Sequence, residues 1–438
     1  MRSPTVLLQL PLYLRIAGAV LILLALVAIV AELETAETWF AADPAAAEIV
    51  AENAEEPETV YVAASPVELQ LNASEAVLID VDTDTVLYSH GSGEVRSLAS
   101  LTKLVTMYVI LDLVERGELS LEDRVTPVPE AYWTAMPARS SVLFLGVDQR
   151  IRIETLLLGL SIASGNDAAI ALAYHVDGSV PRFAERMEEV FESLGASSYS
   201  FSEPSGIEAA NRATASDFAR FVSHYLRRFP DATPRFHEVP EMVFPTSDDY
   251  GGRLNPISLT HANRNLLLRE YPAANGLKTG FTYSAGYSLA ASAERDGRRI
   301  AAVILGVDAP NARIGSRLRT DDAVELFDYA FETYESLNPG HPELPPVKVR
   351  GGVQSTVPLA AFPPGMLIPR DSVSELSGTM QLSGDVVAPV RQGQVLGEIE
   401  YSVHGEPVAV VPVSAARDVE ADRGIGPVID RLAARAGL

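Results

Sequence analysis

The chain has 438 residues, of which 47% are hydrophobic, and its formal net charge is −24. A chain of this length and composition buries a sizeable core and is expected to form two domains, so disorder throughout is excluded. Its acidity, without any long cluster of Lys and Arg, argues against a nucleic-acid partner. The absence of cysteine excludes disulfides, thiolate catalysis and thiolate metal sites, and the seven histidines show no metal-ligand spacing. We therefore expect no metal and no other cofactor.

The first 31 residues are typical of an export signal. An uninterrupted apolar run, Ile16–Ala31, follows two arginines and precedes three glutamates. This charge asymmetry places the N-terminus in the cytoplasm and the rest of the chain outside. The small-residue cleavage pattern at Ala28–Ala31 is poor, so a membrane anchor over residues 1–31 is slightly favoured over a cleaved signal peptide. Residues 32–62 are predicted to form an acidic Ala/Pro-rich spacer.

Residues 63–340 carry the pattern of one α/β domain. Two strands, Ala76–Val81 and Thr85–Tyr88, are joined by a tight turn. A block of helices follows, each with apolar residues at three- and four-residue intervals: Ser100–Glu115, Ile153–Ile162, Asn166–Tyr174, Arg182–Leu194 and Thr214–Arg227. Three further strands and a closing helix are predicted at Ala274–Gly280, Gly286–Ala293, Arg299–Gly306 and Thr320–Tyr334. The helical block therefore interrupts a sheet.

A second, small all-β domain is predicted over residues 346–415. It follows a segment rich in Pro, Gly and Glu, Leu337–Pro346, and its short apolar runs are separated by Gly and Pro. These runs are Val347–Arg350, Met366–Ile368, Gly378–Leu382, Val395–Val403 and Pro407–Val413. Residues 416–438 form a short tail whose amphipathic helix has too little apolar area to anchor the chain in a membrane.

Lysine is rare in this chain. Of 34 Lys and Arg residues, only Lys103, Lys278 and Lys348 are lysine. Because lysine loses its proton on desolvation and arginine does not, retained lysines indicate proton transfer or a compact charge. Codon bias explains Lys348 equally well.

The first candidate motif is Ser100-Leu101-Thr102-Lys103, at the start of a predicted helix. A three-residue separation places the Ser100 hydroxyl and the Lys103 amine on one face, so they can share a proton. Apolar neighbours would desolvate Lys103 and lower its pKa, which makes it a base for the serine. Backbone N–H groups at a helix start can also hold an oxyanion. The alternative is a capping serine followed by a surface lysine.

The second motif, Ser164-Gly165-Asn166, lies between two predicted helices. The serine can relay a proton, and the asparagine can orient Lys103 and a substrate amide. The alternative is an ordinary loop in which Asn166 caps the next helix.

The third motif, Lys278-Thr279-Gly280, ends a predicted strand. An edge strand binds an extended peptide through its main chain, Gly280 permits close approach, and Lys278 with Thr279 can hold a carboxylate. The alternative is a charged edge strand that prevents aggregation.

In this order, the motifs resemble the Ser-x-x-Lys, Ser-x-Asn and Lys-Thr-Gly set of β-lactamases and penicillin-binding proteins. Their flanks are similar to those of the low-molecular-mass D-alanyl-D-alanine carboxypeptidases: Ala99-Ser100-Leu101-Thr102-Lys103, Ala163-Ser164-Gly165-Asn166-Asp167-Ala168 and Gly276-Leu277-Lys278-Thr279-Gly280-Phe281-Thr282, followed by Ala285-Gly286-Tyr287. The resemblance covers Glu75 to Phe331, and Val347 to Val413 looks like the family's C-terminal domain. It implies a β-lactamase/transpeptidase-like α/β domain, with an antiparallel sheet and a helical subdomain, before the all-β domain.

The resemblance also implies a reaction. Ser100 would attack the carbonyl of the penultimate D-alanine of a peptidoglycan pentapeptide, and Lys103 would accept its proton. Ser164 and Lys278 would relay a proton to the departing D-alanine, and water would hydrolyse the acyl-enzyme. Asn166 would position the substrate.

The substrate-binding residues are implied in the same way. Lys278, Thr279 and Gly280 would bind the terminal carboxylate and the peptide main chain, and the N–H groups of Ser100 and Phe281 would form an oxyanion hole. An arginine before the closing helix fits Arg319, although Arg317 leaves that assignment open.

The chain departs from the family pattern at three places. Phe281 stands where many relatives have a polar residue, Pro204-Ser205-Gly206-Ile207 replaces a commoner His-Gly-Leu pattern, and the terminal amphipathic anchor is reduced. Glu203-Pro204 superficially suggests the deacylating glutamate of class A β-lactamases. Since Ile207 replaces the asparagine of that loop, we predict a poor β-lactamase.

Three alternatives remain open at this point: a D,D-endopeptidase, a class A-like β-lactamase, and a non-catalytic envelope protein that binds peptidoglycan. The expected partners are a peptidoglycan pentapeptide, β-lactam inhibitors, the cytoplasmic membrane through the N-terminus and an envelope protein at the β domain. The expected location is the extracytoplasmic side of the bacterial envelope.

Overall fold

The computed structural model describes residues 59–91, 93–253, 256–337 and 344–422. The chain forms two compact units, and the first contains Thr59–Leu337 and Met366–Ser374. Among the described residues, the second contains 344–365 and 375–422. The predicted N-terminal anchor, most of the spacer and the predicted C-terminal helix lie outside the described residues. No helix in the described part of the chain is long and apolar enough to cross a membrane.

The first unit is built on a five-stranded antiparallel sheet. Its strands, in chain order, are β1 Glu75–Asp80, β2 Thr85–His90, β3 Ala274–Thr282, β4 Gly286–Arg295 and β5 Arg298–Val307. They lie side by side in the order β3-β4-β5-β1-β2, so β3 is an edge strand. Its partner is β4, in a register that places Thr279 opposite Leu289. The strand that carries the third motif therefore has its other edge unpaired within the described sheet.

Helices lie between β2 and β3 in the chain and after β5. They are α1 Thr102–Glu115, α2 Ile153–Leu158, α3 Asn166–Asp177, α4 Val180–Ser193, α5 Ala215–Arg228, α6 Leu267–Glu270 and α7 Ala312–Thr333. The side chain of Asn311 caps α7 by accepting a hydrogen bond from the N–H of Ile314. The closing helix thus starts at Ala312, before the predicted Thr320. The prediction missed its first turns because they are mostly polar.

Both faces of the sheet are buried, which explains why its strands read as continuous apolar runs. Val77 and Ile79 of β1 pack with apolar residues of α1, α3, α4 and α5. Ala76 and Leu78, which point the other way, pack with Phe327 and its neighbours on α7. The sheet is therefore fixed between the helical block and α7, and α1 is held against the sheet by its apolar side chains.

Short strands complete the first unit. Seven of them pair in small sheets of their own: Arg96–Ser97, Arg124–Val125, Ile151–Arg152, Tyr199–Ser200, Arg212–Ala213, and Glu241–Phe244 with Leu259–Ala262. The last sheet of this unit joins Val60–Tyr61 and Tyr334–Leu337 to Met366–Pro369. The predicted boundaries assigned residues 60–62 to the spacer and 366–368 to the β domain. In the structure they belong to the first unit, because a short apolar run does not specify which sheet it will join.

The second unit contains only strands and turns among its described residues from 376 onward. A four-stranded antiparallel sheet consists of Leu359–Ala360, Ser377–Leu382, Val395–Val403 and Glu406–Ala415. A second sheet joins Val347–Arg350 to Thr356–Val357 and Val386–Val387. A valine-rich core lies within this unit, and it includes Val419 from the predicted tail. Lys348 is exposed.

Candidate active site

Ser100 lies in a 3-10 turn, Ala99–Leu101, immediately before α1. The turn is held in place by two close approaches of the main chain. A Cβ on Gly206 would lie 1.7 Å from the carbonyl oxygen of Ala99, and one on Gly280 would lie 3.1 Å from the carbonyl oxygen of Leu98. Only glycine fits at residue 206, where φ is +78°. The first and third motifs are thereby brought together at Ser100.

The Lys103 amine makes three hydrogen bonds in the buried interior. Its Nζ lies 3.1 Å from the Oγ of Ser100 and 2.7 Å from the Oδ1 of Asn166, and it also donates to the carbonyl of Ser205. A neutral amine keeps two N–H donors and one lone pair. With Asn166 and Ser205 accepting the two N–H groups, the lone pair is directed at the Ser100 hydroxyl.

Burial lowers the pKa of Lys103 to about 7. Desolvation is the largest cause, and the positive charge of Arg264 adds to it. The negative charges of Glu203 and Asp167 oppose the shift. A substantial fraction of Lys103 is therefore neutral near pH 7, which a general base requires.

Glu203 organises the loop that supplies the Ser205 carbonyl. Its buried carboxylate accepts hydrogen bonds from the N–H groups of Ser205, Gly206 and Ile207, at 2.7, 2.6 and 2.9 Å, and from the amide of Asn211 at 2.8 Å. The carboxylate oxygens are thus occupied by the loop itself. Glu203 is a structural carboxylate that fixes an acceptor for Lys103.

The second motif follows a π-helical turn, Gly159–Ala163. Ser164 has a left-handed backbone with φ of +59° and lines the pocket beside Ser100. Asn166 begins α3, but Gly165 is the N-cap and no side chain caps this helix. The predicted alternative, a capping role for Asn166, is therefore wrong, because its side chain faces Lys103.

Asp167 connects the second motif to the loop that contains Leu143 and Leu145. Its fully buried carboxylate accepts hydrogen bonds from the N–H groups of Leu143 and Leu145, at 2.8 and 3.0 Å. The N–H of Asn166 donates to the carbonyl of Ser141. Burial raises the pKa of Asp167, although these N–H donors favour the ionised form.

The third motif lies on β3, at the edge of the sheet. Lys278 is 2% exposed, and its Nζ donates to the carbonyl of Thr279. Its pKa is held well below the usual value, first by burial and then by the positive charges of Lys103, Arg264 and Arg319. Lys103 is 0% exposed. The alternatives of a surface lysine in the first motif and a guarding charge in the third are therefore wrong.

Arg319 supports the wall of the pocket from α7. It is 5% exposed, and its Nη1 donates to the carbonyls of Gly280 and Ser288 at 3.0 and 3.1 Å. Burial lowers its pKa to about 10. Arg317 is exposed and pairs with Glu270, so Arg319 is the arginine of this pair that lines the pocket.

These residues surround a pocket of about 600 Å³. Its lining includes Ser100, Ser164, Asn166, Thr279, Gly280, Phe281, Arg264 and Arg319. The face of Phe281 stacks on Tyr287 with ring centroids 4.3 Å apart, and Phe281 remains 42% exposed. The pocket thus has one aromatic wall and a strongly basic interior, which suits a compact anionic ligand.

The family of the chain follows from comparison with known proteins. Residues 60–309 match the family model described as D-alanyl-D-alanine carboxypeptidase, and residues 331–421 match that of the C-terminal domain of penicillin-binding protein 5. The chain is 30% identical over 358 residues to the D-alanyl-D-alanine carboxypeptidase DacF of Bacillus subtilis, which covers 81% of this chain and 87% of that protein. The chain belongs to the D-alanyl-D-alanine carboxypeptidase family.

Solved structures of penicillin-binding proteins share this fold. Penicillin-binding protein 5 from Haemophilus influenzae is 28% identical, with a TM-score of 0.65 over 81% of this chain and 100% of that one. Penicillin-binding protein D2 from Listeria monocytogenes, solved in its ampicillin-bound form, is 25% identical, with a TM-score of 0.50 over 60% of this chain and all of that one. The predicted fold class, a transpeptidase-like α/β domain followed by a small all-β domain, is confirmed.

The same comparisons confirm the predicted activity. The chain is a serine-type D-alanyl-D-alanine carboxypeptidase of the low-molecular-mass penicillin-binding proteins. The endopeptidase, the class A-like β-lactamase and the non-catalytic binding protein are not favoured.

Sequence reasoning missed two residues of this carboxypeptidase site. Arg264 lines the pocket, donates to the Oγ of Ser141 at 2.9 Å, and lowers the pKa of both Lys103 and Lys278. It lies between two buried asparagines, Asn263 and Asn265, and this polar triplet was the available signal. Glu203 was recognised only as a weak β-lactamase candidate, since its partners are the N–H groups of its own loop.

Proposed function

We propose that Ser100 is the nucleophile of the carboxypeptidase and that Lys103 is its general base. The observation that carries this proposal is the 3.1 Å contact between the Lys103 Nζ and the Ser100 Oγ, at a lysine whose pKa is lowered to about 7. Neutral Lys103 removes the hydroxyl proton as the Ser100 oxygen attacks the carbonyl of the penultimate D-alanine. The N–H groups of Ser100 and Phe281 stabilise the oxyanion of the tetrahedral intermediate.

The proton then moves to the leaving group. Ser164 and Lys278 relay a proton to the amine of the terminal D-alanine as its C–N bond breaks, which leaves the shortened peptide esterified to Ser100. Lys103 next removes a proton from water, which attacks the ester and regenerates the Ser100 hydroxyl. Asn166 keeps Lys103 oriented through both steps by accepting its hydrogen bond.

The substrate binds along β3 as an extended peptide in this proposal. The unpaired edge of β3 provides main-chain hydrogen bonds, and Gly280 leaves room beside the Ser100 turn. Lys278 and Thr279 bind the terminal carboxylate. Arg319 fixes the strand through the carbonyl of Gly280 and adds positive charge to the wall.

Incubation of the full chain with a muramyl pentapeptide tests the substrate. Release of free D-alanine is the expected result, with a muramyl tetrapeptide as the second product. A cross-linked muropeptide dimer serves as the comparison substrate. Cleavage of the dimer without release of D-alanine from the pentapeptide would establish an endopeptidase instead.

β-Lactams are proposed to acylate Ser100 and to remain attached. The ampicillin-bound relative supports the binding, and the occupied carboxylate of Glu203 argues against rapid hydrolysis. We expect the penicilloyl-enzyme of the wild type to persist after excess penicillin is removed. In Glu203→Gln we expect acylation to slow about tenfold, because the loop that orients Lys103 loses acceptors, with no acceleration of hydrolysis.

Glu208→Gln is the matched control, because Glu208 is exposed on the same loop. Mass spectrometry over time measures the adduct in all three proteins. Rapid hydrolysis by the wild type that collapses in Glu203→Gln would make Glu203 the base of a β-lactamase.

We propose that the N-terminal 31 residues hold the carboxypeptidase on the outer face of the cytoplasmic membrane. The charge asymmetry around Ile16–Ala31 supports export, and peptidoglycan lies outside that membrane. The predicted envelope partner of the β domain stays a prediction.

Deletion of residues 2–31 is expected to leave the protein in the cytoplasmic fraction, because the signal for export is lost. Deletion of residues 423–438 is the matched control and should leave the localisation unchanged. Fractionation followed by penicillin labelling measures both. Export or membrane retention of the first variant would contradict the proposal.

A further inference from the structure

A buried histidine lies behind the active site, and the reaction proposed above does not use it. His237 is 0% exposed. Its Nδ1 is hydrogen-bonded to the Oγ of Ser161 at 3.0 Å, and its Nε2 to the hydroxyl of Tyr225 at 2.8 Å. The ring therefore joins two different elements of the helical region.

The partners of His237 lead directly to two of the motifs. Ser161 belongs to the π-helical turn Gly159–Ala163, which ends at Ser164. The backbone of Leu277, the residue before Lys278, also acts on the imidazole and partly opposes the lowering of the pKa of His237. A Cβ on Gly276 would lie 3.2 Å from the Cβ of His237, so the strand passes close to this residue. One side chain thus spans the distance between the second and third motifs.

We propose that His237 is a positioning residue that holds Ser164 and Lys278 in a fixed relation for proton relay. The proposal rests on the roles proposed above for those two residues. His237 itself is buried behind the motifs and acts only through them.

A neutral imidazole suits this position. Burial is the main reason that the pKa of His237 falls to about 3, and the positive charge of Lys278 contributes. The neutral ring offers one N–H donor and one acceptor nitrogen, so it satisfies Ser161 and Tyr225 together. It does this without adding a positive charge beside Lys278, whose own pKa is already lowered first by burial and then by neighbouring cations.

The main chain of His237 is fixed independently of its ring. The amide of Asn263 donates to the carbonyls of His237 and Val239 at 3.0 and 3.1 Å, and the amide of Asn265 donates to the carbonyl of Gly276 at 3.1 Å. A change of the side chain therefore leaves this segment attached. Ser164, by contrast, has a left-handed backbone conformation, which is strained for a residue with a side chain and persists only when its surroundings hold it. Loss of the ring should therefore displace Ser164 and Lys278 more than it lowers the stability of the fold.

Steady-state kinetics of D-alanine release test the proposal in the full chain. In His237→Phe, which keeps the shape and removes both hydrogen bonds, kcat should fall about 10- to 100-fold, because small displacements of reacting groups are costly. KM should stay within about twofold, since the pocket lining is untouched. His237→Gln supplies a donor and an acceptor again and should restore most of kcat.

His224→Phe is the matched control. It lies on α5 and loses a similar histidine–tyrosine hydrogen bond, from Nε2 to the hydroxyl of Tyr108 at 2.9 Å, which does not lead to Ser164 or Lys278. Its kcat should equal that of the wild type. If His237→Phe does not fold, Ser161→Ala removes only the link to the second motif, and its kcat should fall about tenfold with KM unchanged.

Two results would overturn the inference. One is a kcat of His237→Phe, or of Ser161→Ala where the first does not fold, within twofold of the control. The other is a failure of His237→Gln to exceed His237→Phe when both are folded by circular dichroism. Ser164→Ala and Lys278→Met are measured in parallel, because retained activity in those variants would reject the relay itself and not only its positioning by His237.

Discussion

Replacing Ser100 by alanine is expected to abolish both covalent labelling by penicillin and the release of D-alanine. The reason is that the Ser100 hydroxyl lies 3.1 Å from a base whose pKa is lowered to about 7, an arrangement found for no other pocket hydroxyl among the described residues. Loss of a covalent nucleophile lowers kcat by about 10⁴-fold or more in serine hydrolases. Fluorescent penicillin on a gel measures labelling, and a coupled D-amino acid oxidase assay measures D-alanine.

Ser284→Ala provides the control for Ser100→Ala. Ser284 is exposed between β3 and β4, where its hydroxyl is hydrogen-bonded to that of Thr282 at 3.2 Å. This variant should label as the wild type does. Peptide mapping of the wild-type adduct identifies the acylated residue, and an adduct on any residue other than Ser100 would reject the central assignment.

The sequence predicted the elements of the first unit well because the sheet is buried on both faces. Continuous apolar runs such as Ile300 to Leu305 have a single stable environment, a strand between two layers. Of the helices in the block, α4 and α5 bury one face and show a clear amphipathic period, whereas α1 is buried along most of its length and reads as an apolar run. The prediction failed at the start of α7, where the residues are mostly polar and show no apolar periodicity. It also missed the change from α-helical to π-helical hydrogen bonding in the turn before Ser164.

The small sheet of Val60–Tyr61, Tyr334–Leu337 and Met366–Pro369 could not be predicted. Its strands come from three distant parts of the chain, and each is too short to carry a register signal. The pairing is supported by side chains that sequence alone does not connect, such as the hydroxyls of Tyr61 and Tyr334, which are 3.0 Å apart. Domain boundaries drawn from composition therefore divided this sheet.

At the active site, the motifs were readable because each keeps its reactive groups within three residues. The effects of Arg264 and of the Ser205 carbonyl on Lys103 could not be predicted from the sequence, because tertiary structure produces both of them. The Ser205 carbonyl is held by Glu203, and the signal is a carboxylate surrounded by its own loop's N–H groups rather than a spacing of reactive side chains. Long-range electrostatics, which sets the pKa of Lys103, has no local pattern.

Lys103→Arg is expected to lower the rate of acylation by benzylpenicillin about 10²- to 10⁴-fold, because arginine keeps its proton at every accessible pH. In the wild type, the second-order rate constant should rise as pH increases through about 7, where Lys103 becomes neutral, and then level off. Stopped-flow measurements from pH 5 to 9 follow this limb. Lys348→Arg, at an exposed lysine, is the matched control and should retain the wild-type profile.

The charges around Lys103 provide a test of which group's titration causes this rise of the acylation rate with pH. Glu203 raises the pKa of Lys103 and Arg264 lowers it, so Glu203→Gln should move the midpoint to lower pH and Arg264→Ala should move it to higher pH. Lys278 offers a contrast, because Arg264 is among the causes of its shift and Glu203 is not. A midpoint that moves only in Arg264→Ala would therefore assign the limb to Lys278. Opposite shifts in the two variants assign it to Lys103, since neutral Lys103 is then the form that removes the proton from Ser100.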